Sequence, residues 1–305
     1  MDYICYDCPR SCGAVRTDVY GGGFCASPIL PLIVRAAPHF GEEPCLSGSR
    51  GAGTIFFSGC NLHCLFCQNH EISFSPKGRR CNAEELRTLM LKLRDTGVHN
   101  IELVTADHYI RIIAEALDGF NLGIPIVWNS SGYENVSSLR LLDGLVQVYL
   151  PDMKFMNPAT AKTYAHAPNY PELAGNAVKE MFRQRGPFQM DTNGLLISGV
   201  LIRHLLLPEH LEDGMDVIDF VADNFPSESV LLSLMSQYTP MPGLPLPPEL
   251  KRTVTKDEYG SLLHYAQCRH PGPLFWQELS SSGMEMIPLF DGFGLDKPEE
   301  ILDNR

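Results

Sequence analysis

The sequence predicts an α/β fold, a partial (β/α)6 TIM-like barrel with a Cys-rich N-terminal extension and an irregular C-terminal tail. Three observations lead there. Short β-branched and aromatic runs alternate with helical apolar stripes through the middle of the chain, the pattern of βαβ units on a parallel sheet. About six such units fit, fewer than the eight of a closed barrel. The first strand, Gly51-Ala-Gly-Thr-Ile-Phe-Phe-Ser-Gly59, ends on the closely spaced cysteines Cys60, Cys64 and Cys67. A loop at the C-terminal end of a first strand is where such a fold places its chemistry.

The elements follow in order. Residues 1–48 read as a Cys-rich extension and linker, 49–238 as the partial barrel, and 239–305 as a C-terminal helix and tail packed on it. Cys5, Cys8, Cys12 and Cys25 lie among the turn residues Pro9 and Gly21-Gly22-Gly23; residues 28–50 carry prolines and glycines and little periodicity, so they read as a wrapped linker. Asn82 with Glu85 forms a capping box ahead of the stripe Leu86, Leu89, Met90, Leu93, and Gly97 ends that helix. A strand over 100–105 precedes a helix with Ile110, Ile113, Ala114 and Leu117 on one face. Strands at 124–128 and 145–150 bracket a helix over 134–142. Residues 157–185 read as helical with interruptions at Pro168 and Pro171. An extended segment spans 195–207, with Gly199 at a bend or bulge. A helix over 215–224 leads to a last strand at 230–234, and Thr255 with Glu258 caps a final helix.

Composition bounds the function. At 305 residues, one large domain with appendages is expected rather than two equal ones. A formal charge of −12 argues against broad phosphate-backbone binding, so no nucleic-acid partner is expected. The longest apolar stretch, around Leu195 to Ile202, is too short to span a bilayer. The N-terminus Met-Asp-Tyr-Ile-Cys lacks the basic start and apolar run of a signal peptide. The expectation is a cytoplasmic protein whose clustered cysteines are metal ligands rather than disulfides.

Thiolates are the soft ligands of iron–sulfur clusters. Cys60, Cys64 and Cys67 are close enough in sequence that the segment must wrap for all of them to meet one metal group. Three ligands on a four-iron cubane leave one iron open for a small molecule, as catalytic metals require. The same spacing also suits a fragment of a zinc site or three reduced thiols. Cys5, Cys8, Cys12 and Cys25 suit a closed zinc site, a fully ligated cluster, or no metal at all. Cys45, Cys81 and Cys268 read as plain thiols.

Polar residues cluster where successive strands end: Thr105-Ala-Asp107-His108, Asn129-Ser-Ser-Gly132, Asp152-Met-Lys154, Arg203-His204 and Gln237-Tyr238. Each has a structural alternative, since Asp107 also suits a helix cap and Asn129-Ser130 a turn. Their recurrence at strand ends beside the cysteine loop favours a site.

Taken together, these segments resemble the radical S-adenosylmethionine (SAM) superfamily, and within it the uncharacterised subgroup homologous to pyruvate formate-lyase activating enzymes. The likeness is carried by Cys5-Tyr-Asp-Cys-Pro-Arg-Ser-Cys12, Phe56-Phe-Ser-Gly-Cys-Asn-Leu-His-Cys-Leu-Phe-Cys-Gln-Asn69, Trp128-Asn-Ser-Ser-Gly-Tyr133, Tyr149-Leu-Pro-Asp-Met-Lys154 and Leu234-Met-Ser-Gln-Tyr238. It implies a 4Fe-4S cluster on Cys60, Cys64 and Cys67, with Phe66 as the aromatic residue before the third cysteine. SAM would chelate the open iron, with Asn129, Lys154 and Arg203 around it and Asn69 in the same signature. The family's Gly-Gly-Glu motif is Thr105-Ala-Asp107 here, so Asp107, or backbone carbonyls near Thr105, would hold the amino group of SAM. The implied reaction is reductive: an external one-electron donor such as flavodoxin or ferredoxin reduces the cluster, SAM is cleaved, and a 5′-deoxyadenosyl radical abstracts hydrogen from substrate. A protein, peptide or glycyl radical enzyme is the expected substrate. The alternatives are a small-molecule substrate, or a non-catalytic metal-binding or electron-transfer protein.

Overall fold

The computed structural model describes residues 3–270, 272–283 and 287–295. The chain opens with a hairpin, β1 (Tyr3–Cys5) paired antiparallel with β2 (Ala14–Arg16), which forms its own two-stranded sheet. The main sheet begins with β3 (Leu32–His39), followed by the short α1 (Pro44–Ser47), β4 (Ala52–Phe57), α2 (His70–Ser73) and β5 (Arg79–Arg80). Helix α3 (Ala83–Asp95), β6 (Ile101–Val104), α4 (Ile110–Leu117), β7 (Ile126–Ser130), α5 (Val136–Leu139) and β8 (Val148–Pro151) then alternate. After α6 (Pro158–Ala165) and α7 (Tyr170–Arg185) come β9 (Gln189–Met190), β10 (Leu196–Leu205), α8 (Leu211–Asn224), β11 (Leu231–Met235), α9 (Lys256–Arg269) and β12 (Leu274–Trp276).

The sheet runs β12-β11-β10-β8-β7-β6-β4-β3-β5, with β9 paired to β10. From β12 to β4 every neighbouring pair is parallel; β3 is antiparallel to β4 and to β5, so the sheet stays open at β12 and β5. The central strands are buried on both sides, as helix-covered parallel strands must be: every residue of β4, β6, β7 and β8 is buried. Two helices, α3 and α9, begin where the sequence carries both stripe and capping box. In α3, Asn82 Oδ1 accepts from Glu85 N at 2.9 Å and Glu85 Oε2 accepts from Asn82 N at 2.9 Å, while Leu86, Leu89, Met90 and Leu93 are buried. The Thr255–Glu258 box begins α9 in the same way.

Four expectations need correction. The segment read as a linker contains β3, eight residues long, whose register on β4 runs from Ile33 opposite Phe57 to His39 opposite Ala52. Its Arg35, Pro38 and His39 disguise the apolar run Leu32-Ile-Val, and an antiparallel strand beside the sheet edge tolerates them. The strand at 230–234 is not the last, because β12 adds to its outer side. The helix expected over 134–142 is one turn of α5 followed by a 3-10 turn over Arg140–Leu142. Pro171, read as an interruption, sits in the first turn of α7, where its missing N–H costs nothing. No helix among the described residues is long and apolar enough to cross a membrane.

Candidate active site

The carboxyl ends of β4, β6, β7, β8, β10 and β11 open onto a single cavity of about 510 Å3. Such a crevice is where open parallel sheets bind ligands. Its first wall is the loop after β4. Ser58 anchors this loop at the strand end, its N donating to Leu32 O and its Oγ to Ile72 O, each at 2.8 Å. Gly59 follows in a left-handed conformation (φ 89°), where a Cβ would lie 2.1 Å from Ser27 Oγ and 3.1 Å from Cys25 O. Only glycine fits there.

From Cys60 the chain winds tightly, with Cys67 N donating to Cys64 O at 3.1 Å and His70 N to Cys67 O at 3.2 Å. Arg10 clamps the loop from outside. Its Nε donates to Asn61 O (2.8 Å), and its Nη2 to Leu62 O (3.1 Å) and Ala165 O (2.8 Å). Cys60, Cys64 and Cys67 thus face the same cavity. Cys60 and Cys64 are buried and Cys67 half-buried. Burial pushes the Cys60 thiol up to about 12, with Cys67 adding to the shift, and it raises Cys64 and Cys67 as well. These thiols ionise only with a strongly cationic partner, which is what a metal centre supplies. Phe66 packs edge-on to Phe155, Tyr164 and Tyr238 at 6.1, 6.3 and 6.2 Å, fixing the loop's base.

The facing wall is polar. Arg203 on β10 donates from Nε to Asp152 Oδ1 at 3.0 Å, from Nη1 to Glu42 Oε2 at 3.1 Å, and from Nη2 to Asn129 Oδ1 at 2.7 Å. Lys154 Nζ donates to Asp152 Oδ2 at 2.5 Å. Burial works against both cations, yet the Asp152 charge holds each well above its ordinary value. Beneath Asn129 lies Glu102, fully buried in β6, whose Oε1 accepts from Asn129 Nδ2. Burial pushes the Glu102 carboxyl up to about 7 against the pull of Arg203.

The structure brings together Cys60, Cys64, Cys67, Phe66, Asn69, Thr105, Asn129, Lys154 and Arg203 around this one cavity. Thr105, just past β6, takes a left-handed conformation (φ 58°), which is rare for a β-branched side chain, and lines the cavity. Asp107 is placed differently. It is absent from the lining, its Oδ2 accepts from Ser131 Oγ at 3.4 Å, and burial, with Glu134 adding, raises its carboxyl well above the ordinary range.

Sequence reasoning passed over Glu42, Glu43 and Glu102. Glu102 had a readable signal, a lone acid in the otherwise apolar Ile101–Val104. Glu42 and Glu43 had none, being in the segment read as linker. Glu43 Oε2 and Asn69 Oδ1 are buried beside the cavity without a hydrogen-bond partner among the described residues. Unsatisfied buried acceptors of this kind call for a donor from a ligand. A donor set of three thiols, two unpaired acceptors and two cations fits a soft metal cluster beside a zwitterionic ligand.

Comparison with known proteins bears on the fold. The chain shares its fold with SuiB. SuiB of Streptococcus suis bound to S-adenosylmethionine superposes with a TM-score of 0.51 at 12% identity, over 72% of this chain and 48% of SuiB. SuiB bound to the precursor peptide SuiA gives 0.50 at 12% identity, over 72% and 46%. This chain therefore spans about half the length of SuiB. An uncharacterized protein of Methanocaldococcus jannaschii is 32% identical over 242 residues, 75% of this chain and 65% of the relative, so the match leaves about a third of that protein uncovered. No family model matches the sequence.

Proposed function

We propose that the chain is a radical SAM enzyme of the pyruvate formate-lyase activating enzyme type, acting on a protein or peptide substrate. The observation that carries this reading is the convergence of Cys60, Cys64 and Cys67 on one cavity whose facing wall holds Lys154, Arg203 and Asn129. Those thiols would hold a 4Fe-4S cluster with one iron left open. Bound there, SAM and the cluster would supply one-electron reductive cleavage to methionine and a 5′-deoxyadenosyl radical, with the electron drawn from an external flavodoxin or ferredoxin.

The chain's own residues bind and orient. Lys154 Nζ and the Arg203 guanidinium present positive charge to the carboxylate of SAM, while Glu43 Oε2 and Asn69 Oδ1 offer acceptors to its ammonium and ribose. Asp152 and Glu102 position these groups through the bonds described above. The ring cluster around Phe66 keeps water from the loop's base, the environment in which fixed charges act most strongly. Phe40, Trp276 and Pro288 reach the same cavity, and the exposed Trp276 ring offers an apolar surface to a peptide. SuiB, similar in fold, has been crystallised with a precursor peptide, which supports a peptide substrate.

The test is anaerobic. Protein reconstituted with iron and sulfide is mixed with SAM and dithionite, and 5′-deoxyadenosine is quantified together with iron. The wild type should release 5′-deoxyadenosine, and Cys64→Ala should lose both product and most of the iron at that site. Undiminished release by Cys64→Ala would refute the reading.

A further inference from the structure

The four N-terminal thiols, Cys5, Cys8, Cys12 and Cys25, surround a void of only about 10 Å3, so room for a further ligand lies instead at the rim of the large cavity. That rim is built by β12, the outermost strand of the sheet, and by the turn after it: Phe275, Trp276, Gln277, Glu278 and Ser281 all line the cavity. The turn is pinned to the end of β11. Gln277 Oε1 accepts from Ser236 N at 3.1 Å, Gln277 Nε2 donates to Gln237 Oε1 at 2.9 Å, and Ser236 Oγ donates to Glu278 O at 3.1 Å.

Among the described residues β12 has one neighbouring strand, β11, with Leu274 opposite Leu232 and Trp276 opposite Leu234. Leu232 N donates to Pro273 O at 3.3 Å. In a parallel pair alternate residues direct their backbone groups to the neighbour, so Pro273 and Phe275 face β11 while Leu274 and Trp276 turn their N–H and C=O groups to the outer edge. No backbone group among the described residues pairs with them there. Such an edge is a template for one more strand. The far side of the sheet is different: Val34 O in β3 accepts from Gly292 N and Ala36 N donates to Phe293 O, each at 3.1 Å.

Charge selects the occupant. Of the cavity's charged groups, Lys154 and Arg203 are already paired with Asp152 and Glu42. Glu278 is exposed on the rim and enters no ion pair among the described residues. At the other end of the strand, exposed Glu228 has its Cα 3.6 Å from where a Gly272 Cβ would lie. The sequence from Pro271 to Asp296 carries Glu278, Glu285, Asp291 and Asp296 and no Lys or Arg. Trp276, 59% exposed, adds an aromatic face of the kind that attracts cations. An acidic and aromatic edge with no free cation favours a basic partner and repels an acidic one.

We propose that the free edge of β12 takes up an extended basic peptide as an added strand, with a lysine or arginine side chain against Trp276 and Glu278, and so feeds the peptide into the cavity. This rests on the peptide-substrate reading of the same cavity and narrows its substrate class.

Trp276 reports on its own edge, because the other tryptophan, Trp128, is fully buried. Its emission is titrated, without SAM or reductant, with three end-blocked hexapeptides: alternating valine and lysine, alternating valine and glutamate, and the lysine peptide with every backbone nitrogen methylated. The lysine peptide should shift the emission to the blue and shield Trp276 from acrylamide, saturably. The glutamate peptide should bind at least about tenfold more weakly. The methylated peptide should also lose about tenfold, since it brings no N–H to the edge. Glu278→Gln should weaken the lysine peptide about threefold. No saturable change with the lysine peptide, equal affinity for the glutamate or methylated peptide, or a change that survives Trp276→Phe would each overturn the proposal. Peptide binding as expected with no 5′-deoxyadenosine release would instead sink the reaction assigned to Cys60, Cys64 and Cys67 and leave this site standing.

Discussion

Replacing Asp152 with Asn tests the polar wall of the cavity most quantitatively. Asp152 serves two cations, Arg203 Nε at 3.0 Å and Lys154 Nζ at 2.5 Å, and the three side chains are 18%, 12% and 20% exposed respectively. Burial alone would raise its carboxyl, but the Lys154 and Arg203 charges outweigh burial and hold it below the ordinary range. Asn preserves the shape and removes the charge. Arg203 then keeps Glu42 at 3.1 Å, whereas Lys154 loses its ion-pair partner. Breaking a buried pair costs about 3–5 kcal/mol, and an exposed one about 0–1 kcal/mol. With roughly a fifth of these side chains exposed, the expected cost is about 3 kcal/mol, near the lower end of the buried range. For a urea m-value near 3 kcal/mol/M, the midpoint should fall by about 1 M. The folded pKa is depressed, so the contribution is fully present above the unfolded value near pH 4 and lost as pH falls through the folded value. The gap between wild type and Asp152→Asn should be full at pH 7 and close in acid. A cost below about 1 kcal/mol at pH 7, or a gap that widens in acid, would refute the reasoning.

Other outcomes follow from the same geometry. Glu102 has a folded pKa of about 7, raised above its unfolded value, so its burial destabilises progressively as pH rises from about 4.5 to 7. Glu102→Gln should match wild type near pH 4 and exceed it by about 3 kcal/mol at pH 8 in urea melts; a difference independent of pH would contradict this. Asp107→Ala should lower the melting temperature while leaving the SAM dissociation constant within about threefold, because Asp107 does not line the cavity and meets it only through Ser131. Calorimetric binding weakened by more than about tenfold would restore Asp107 as a ligand. Gly59→Ala forces a side chain into a left-handed turn against Ser27, so it should cost about 1–3 kcal/mol and lower iron retention, read by melting and iron analysis.

Much of the architecture was legible because local signals agreed with tertiary ones. The Asn82–Glu85 and Thr255–Glu258 boxes name helix starts through bonds made within one turn, and Gly51–Gly59 names a buried strand by composition. β3 was hidden because its polar residues are tolerated at an antiparallel position near the sheet edge, where period and apolarity both weaken. β12 is three residues long and leaves no periodic trace. Within the site, Cys60, Cys64 and Cys67 were readable from their spacing together with the strand that runs into them, and strand-end positions gave Asn129, Lys154 and Arg203 as candidates. Glu42 and Glu43 reach the cavity only because β3 turns back over β4, a long-range event no local pattern records. Asp107 shows the converse. It stands where the family motif has Glu, but Thr105, not the acid, lines the cavity.

The most direct measurement of the central claim is the electron paramagnetic resonance spectrum of the dithionite-reduced protein before and after SAM is added. It is recorded on one reconstituted sample, so that the two spectra differ only in the SAM added. If Cys60, Cys64 and Cys67 hold a cluster with one iron open to the cavity, SAM must change the signal, because its amino and carboxylate groups enter the coordination of that iron. A reduced cluster signal whose g-values and line shape are the same with and without saturating SAM would contradict the account.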